Sequence, residues 1–164
     1  MKKLFVIIAI NFMFNGCGIY TFSGASIPNE ANTIGINYFT NKAANVQPIL
    51  SQLFTEKLKD RVVEQTRLIL SDEGDLQFSG FISEYTIKPI AITSTETASK
   101  NRLTIKVDVK FSSKLDKTTN YQKIFSRYRD YNSNEEISNI EEDLINVICD
   151  ELIEDIFNTS FGKW

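Results

Sequence analysis

RLTIKVDVKF, residues 102–111, decides the fold. Leu103, Ile105, Val107, Val109 and Phe111 alternate with Thr104, Lys106, Asp108 and Lys110. Successive side chains on a strand point to opposite faces, so this period of two predicts a strand with one face on a core and the other in water. After the turn KLDKTTN, YQKIFSRYRDY (121–131) predicts an antiparallel return strand. Before it, across the polar loop TSTETASKN, LQFSGFISEYTI (76–87) predicts a third strand. There the apolar residues change parity. Leu76, Phe78 and Ile82 share one face while Phe81, Tyr85 and Ile87 share the other, which calls for a bulge at Gly80 or a strand covered on both sides.

Further outward lie the helices. Ahead of the turn cluster SDEGD, Pro48 suits a first helical turn. Leu50, Leu53, Phe54, Leu58 and Val62 then recur at helical spacing, flanked by Ile49 and Val63, with Glu56, Lys59, Asp60 and Glu64 on the other face, predicting a helix over 48–66. TIGINYF (33–39) sets Ile34, Ile36 and Tyr38 on one side of a first strand. Near the C-terminus, Ser138 with Glu141 reads as a capping box. Ile140, Leu144, Val147, Ile148, Leu152 and Ile156 follow it as an amphipathic helix ending near Asn158. The order β-α-β-β-β-α predicts an α+β fold in which two helices pack on one face of a four-stranded mixed sheet.

The first sixteen residues, MKKLFVIIAINFMFNG, are a positively charged start followed by an apolar run. The run is too short and too interrupted by Asn11 and Asn15 for the roughly 20 apolar residues of a membrane span, and it reads as a signal peptide. Gly16 before Cys17 marks a lipoprotein cleavage site. Simple secretion would instead leave Cys17 as a reactive thiol at an exposed terminus. Several acyl chains at Cys17 give stable anchoring where one is marginal. The expected organisation is a lipoprotein signal peptide at 1–16, a lipidated tether at 17–32 and one domain at 33–164. Without the signal, 16 basic residues (18 less Lys2 and Lys3) face 21 acidic ones, a net charge of −5 that argues against nucleic acid as a partner.

The chain has no histidine, which removes the commonest general base and metal ligand. No phosphate-binding glycine loop and no CxxC motif occurs, and no cofactor or metal site is expected. Glu141, Glu142 and Asp143 read as acids favouring the start of the last helix, and Asp150, Glu151, Glu154 and Asp155 as its solvated face. Cys149, within VICDELI, reads as a buried inert thiol. Charge is unevenly spread. From Glu84 to Tyr131 there are ten basic and five acidic residues, whereas 135–162 holds nine acidic and none basic. Lys106 and Lys110 share the wet strand face, and with Arg127 and Arg129 from the next strand they form a candidate phosphate-binding patch. The plainer reading is an ordinary solvated sheet face.

CGIYTFSGASI, LSQLFTEKLKDRVVEQTRL, GDLQFSGFISEY, TETASKNRLTIKVDVKF, FSRYRDY and EEDLINVICDELIEDIFN span nearly the whole chain after Cys17. In that order they resemble the lipopolysaccharide-assembly lipoprotein family LptE in its Bacteroidetes form. The resemblance implies a protein without enzymatic activity that plugs and helps assemble the outer-membrane β-barrel LptD and contacts lipopolysaccharide through its lipid A. It also implies an outer-membrane location through the lipid anchor, with the domain on the periplasmic side or in the barrel lumen. GIYTFS after Cys17 lacks the acidic run of a surface-export signal, which favours the periplasmic side. A free-standing lipoprotein module for another envelope ligand is the alternative.

Overall fold

The computed structural model describes residues 27–90 and 99–162. The expected signal peptide, Cys17 and most of the expected tether lie outside the described residues. In chain order the elements are β1 (Thr33–Ile36), β2 (Thr40–Asn41), α1 (Pro48–Gln65), β3 (Ile69–Leu70), β4 (Leu76–Ile90), β5 (Lys100–Ser113), β6 (Tyr121–Asn132) and α2 (Ile137–Phe161). A single 3-10 turn, Lys117–Thr119, joins β5 to β6.

The α+β architecture is the one read from the sequence, with two short strands added. The sheet runs β3-β1-β4-β5-β6, with β2 also on β4. β1 pairs with β4 in parallel, so the chain must cross over between them, and α1 is that crossover. β4, β5 and β6 form an antiparallel meander.

α1 buries Leu50, Phe54, Leu58 and Val62, one residue per turn, while Leu53 is only half-buried and Ile49 and Val63 are exposed. Two polar residues sit in the same buried stripe. The Thr55 hydroxyl donates to Ser51 O at 2.7 Å and accepts the Phe39 N–H at 3.1 Å, so a buried donor beyond the end of β1 is satisfied. Phe39 is the buried aromatic here, edge-on to Phe54 at 5.1 Å, whereas Tyr38, expected on the same side as Ile34 and Ile36, is exposed. The strand ends at Ile36, so the alternation does not carry through.

The parity change in β4 has a different cause from the one expected. The register slips between Ile82 and Glu84, leaving Ser83 as the extra residue, and this brings Tyr85 to the buried face of Ile82. Gly80 pairs regularly with Val109. Its role is space: a Cβ there would stand 2.0 Å from Asp108 O and 2.7 Å from a Phe39 ring carbon.

α2 starts before the expected capping box. Glu136 precedes its first residue without a side-chain cap, so Ser138 lies inside the first turn and Glu141, Glu142 and Asp143 lie beyond it. Including Ile137 lets that side chain pack on the core. The other end runs past Asn158 to Phe161, whose ring meets Phe157, Phe111 and Phe78 at centroid distances of 5.1, 5.7 and 6.0 Å. Ile145, Ile148, Leu152 and Ile156 are buried, while Val147 is exposed. Cys149 is fully buried, and burial pushes its thiol up to about 12, so it stays protonated and unreactive.

Candidate functional site

The chain enters the described domain at a clamp. Asp75, at the end of the turn before β4, accepts the N–H groups of Asn32 and Thr33 at 3.0 and 3.1 Å and the Thr33 hydroxyl at 2.8 Å. These hydrogen bonds hold its carboxyl below the usual carboxylate range. Ala31 is buried and Ile27 packs on the core, so the chain between Ile27 and Thr33 is fastened to the domain.

Both helices cover one face of the sheet, and among the described residues no element covers the other, the open face. β5 sends Lys106 and Lys110 to the open face, as its alternation implies, because Leu103, Ile105, Val107, Val109 and Phe111 are all buried on the other. Lys106 is paired, its amine 2.8 Å from Glu84, and Thr86 donates to the same carboxylate at 3.0 Å. The bond from Lys106, then that from Thr86, hold the Glu84 carboxyl below its ordinary range. Beside them Arg102 forks onto Asp130 at 2.7 and 2.9 Å with its guanidinium 3.7 Å from the centre of the Tyr128 ring. Asp108 accepts from Gln122 at 3.0 Å. Lys110 is exposed and, among the described residues, has no ion pair. Near it lie apolar surfaces, Ile124 at 56% exposed and Phe81 with the Lys42 amine 4.4 Å over its ring, and Tyr128, 47% exposed, lies further along the same face opposite Thr104.

Arg127 and Arg129 do not join this face. They pair across to Ile105 and Leu103 and share the helix-covered side with Phe125 and Tyr131. There Arg127 forks onto Asp155 with two 2.7 Å bonds, and Arg129 donates to Glu151. The sequence assigned the four basic residues to one patch; the parity of β6 separates them. The signal was present elsewhere. Glu151 and Asp155 lie one helical turn apart, about 6 Å of rise, and Arg127 and Arg129 one strand repeat apart, about 7 Å, so the two ladders match. Lys57 with Asp150 at 2.6 Å and Arg61 with Glu154 at 3.9 Å extend the same matching between the helices. The contrast between a basic sheet and an acidic last helix is therefore a seam inside the domain.

Two shallow clefts accompany these contacts. One, of about 320 Å³, lies between the helices over Lys57, Arg61, Asp150 and Glu154. The other, of about 390 Å³, lies between the end of β6 and the start of α2, lined by Lys100, Asp130, Glu135 and Asp143 among others. Among the described residues no cluster of three or more Cys, Asp or Glu side chains could hold a metal ion, and no helix is long and apolar enough to cross a membrane.

A family model described as lipopolysaccharide-assembly, LptE, matches residues 31–160, from the clamp through the last turns of α2. A minor lipoprotein from Acinetobacter baumannii superposes with a TM-score of 0.54 at 14% identity, over 82% of this chain and 98% of that one. A chain described as a neuraminyllactose-binding hemagglutinin homolog from Helicobacter pylori gives 0.53 at 8% identity, over 84% and 87%. Rare lipoprotein B from Shewanella oneidensis gives 0.47 at 10%, over 78% and 96%. At these identities the first two likenesses are of fold alone. No curated protein sequence matches the chain.

Proposed function

The chain belongs to the LptE lipopolysaccharide-assembly family, and from that premise we propose that it is an outer-membrane lipoprotein that binds an LptD-like β-barrel, assists its assembly and helps pass lipopolysaccharide to the outer leaflet. The observation that carries this reading is the extent of the match, which takes in both helices and the whole sheet. In the proposal residues 1–16 are removed, acyl chains on Cys17 hold the protein at the periplasmic side of the membrane, and residues 17–32 tether the domain of 33–164. The Asp75 clamp supports such a tether, since a pull on the chain is met by hydrogen bonds to Asn32 and Thr33 before it reaches the sheet. The domain acts by binding, with no catalytic step and no cofactor.

For lipopolysaccharide the proposed contact is the open face. Lys110, without an ion pair among the described residues, offers an ammonium for a lipid A phosphate, Lys106 can exchange Glu84 for a second, and Ile124 and Phe81 offer apolar surface for acyl chains. Arg127 and Arg129 enter only if they leave Asp155 and Glu151, which makes them secondary to the lysines.

Mild-detergent extraction of the outer membrane and capture of the full-length protein should bring a large β-barrel protein with it. Depletion should lower that barrel's yield and its protease resistance. Cys17→Ala should yield a chain without acyl groups; an unmodified Cys17 in the wild-type mature protein would remove the anchor. Lys106→Glu with Lys110→Glu should weaken lipopolysaccharide binding, more at low salt than at high, since exposed charges are screened beyond about 8 Å at physiological ionic strength. Capture without any barrel, with binding of a different envelope ligand, would favour the free-standing module.

A further inference from the structure

Apart from the two-residue β2, which pairs only with β4, the sheet has among the described residues three backbone edges without a neighbouring strand, and two of them are guarded. β3 at one margin is two residues long. On β4, the stretch beyond its pairing with β2 carries the slip at Ser83 and then Pro89, which has no N–H to offer. The third edge, the outer side of β6, runs from Tyr121 to Asn132 with no proline and no slip in its register on β5. Native proteins blunt exposed edges by shortness, bulges, proline or charge, and of these this edge carries only charge.

Parity identifies the groups that face outward. The Ser133 N–H donates to Ser99 O at 3.0 Å, continuing the β5-β6 ladder, so odd-numbered residues of β6 bond to β5. Gln122, Ile124, Ser126, Tyr128 and Asp130 therefore aim N–H and C=O away from the sheet. Tyr128 O accepts from Arg129 at 3.0 Å and Asn132 O from the Glu135 N–H at 3.0 Å. Between Gln122 and Ser126 no described group meets the outward ones. The side chains of Gln122, Ile124, Ser126 and Tyr128 on the open face are uncharged. Those on the helix side include Lys123, its amine 5.0 Å over the Phe125 ring and without an ion pair among the described residues, while Arg127 is taken up by Asp155.

We infer that the edge from Gln122 to Tyr128 is a strand-addition site for an extended segment of another protein that carries carboxylates on the helix-facing side. Main-chain hydrogen bonds supply affinity in this mode, and alternate side chains supply selection. A second copy fits poorly: pairing two β6 edges antiparallel sets Lys123 against its own counterpart or against Arg127 or Arg129, whose charges Asp155 and Glu151 already meet, in nearly every central register, so Lys123 finds no carboxylate there and its own counterpart would repel it. An acidic strand reverses that sign. The inference does not depend on the partner being a β-barrel.

The test places photoreactive benzoylphenylalanine at Gln122, Ile124 or Ser126 of the full chain in intact cells, with Thr104 and Ile69 as controls, and maps cross-links by mass spectrometry. The three edge positions should link to one segment of one partner, displaced by about two residues per step. The controls should not link to that segment. Ser126→Pro removes an outward N–H while leaving the inward ladder, and should lower the link from position 124 by about fivefold, the equivalent of one net hydrogen bond; Ser126→Ala should not. Independently of any variant, the amides of residues 122, 124 and 126 should exchange slowly in the envelope-extracted complex and quickly in the purified protein. Absent or scattered links, links to a second copy or to residues 18–26 of the same chain, or amides equally fast in both preparations would overturn the proposal.

Discussion

On the helix-covered side of the sheet, Phe78, Ile82, Ile105 and Val107 are fully buried, and the charges at its margin, Arg127 and Arg129, reach across to carboxylates of a different element. On the open side the same strands present Phe81, Ile124 and Tyr128 partly exposed, and the charges Lys106 and Arg102 close onto carboxylates of the neighbouring strands. One set of ion pairs ties helix to sheet; the other neutralises the sheet within its own plane. The open face is left with several apolar side chains and with Lys42, Lys88 and Lys110 against Asp108. A surface of that kind suits an amphipathic ligand or a protein partner better than a purely anionic one.

The most severe way to probe this contrast is to cut holes in both sides. Phe54→Ala should cost about 3–5 kcal/mol and Leu152→Ala about 2–5 kcal/mol, because both side chains are fully buried. Ile124→Ala and Tyr128→Ala on the open side should stay within about 0.5 kcal/mol in the purified protein. Urea denaturation of a soluble form checks both. A large loss at Ile124 would mean that the open face is covered in solution.

Gly80→Ala comes next. The added Cβ meets Asp108 O and the Phe39 ring, and neither a backbone carbonyl nor a fully buried ring can move freely, so about 1–3 kcal/mol should be lost. Ser79→Ala, one residue away on the open side, should change little. Equal effects at the two positions would show that Phe39 does not pack over Gly80 as a fixed part of the core.

Much of this contrast could be read directly. The alternation of 102–111 assigned every residue of that strand to its face, and the spacing from Leu50 to Val62 gave the buried stripe of α1, because in both one period dominates. Three features were ambiguous for physical reasons. A glycine in a strand marks either a bulge or a close approach, and Gly80 proved to be the second, with the slip at Ser83. YQKIFSRYRDY has apolar residues at both parities, Phe125 and Tyr131 against Ile124 and Tyr128, as an edge strand with one margin in water permits. That is why the sequence alone does not separate Arg127 and Arg129 from the patch of Lys106 and Lys110. β2 and β3 are two residues each, shorter than any periodicity can register.

The helix-to-sheet seam should be worth less than either core change. Arg127 and Asp155 make a forked pair that is partly exposed, and exposed pairs contribute about 0.2–1 kcal/mol. A double-mutant cycle with Arg127→Ala and Asp155→Ala should return a coupling in that range that shrinks at about 1 M salt, where the screening length falls to about 3 Å. A coupling near zero would reduce the seam to crowding of opposite charges and leave Arg127 free to serve a ligand.

The smallest effect expected lies within the open face, and it separates its two lysines. Lys106 donates to Glu84 and is the leading cause of that carboxyl's lowered pKa, whereas Lys110 has no described partner. A carboxylate whose folded pKa lies below its unfolded value stabilises the fold above the unfolded value, here about 4.5, and loses that contribution as pH falls through the folded value. Lys106→Gln should raise the Glu84 midpoint toward its ordinary range and reduce the loss of stability on acidification below that pH; Lys110→Gln should do neither. A carboxyl-carbon NMR titration of Glu84 in the three proteins reads this directly. If both lysine variants shift Glu84 alike, a diffuse positive field governs the open face, and Lys106 is then as available as Lys110 to an anionic ligand. If only Lys106→Gln shifts it, any phosphate reaching Lys106 must first displace Glu84, and binding there should strengthen as Glu84 becomes protonated.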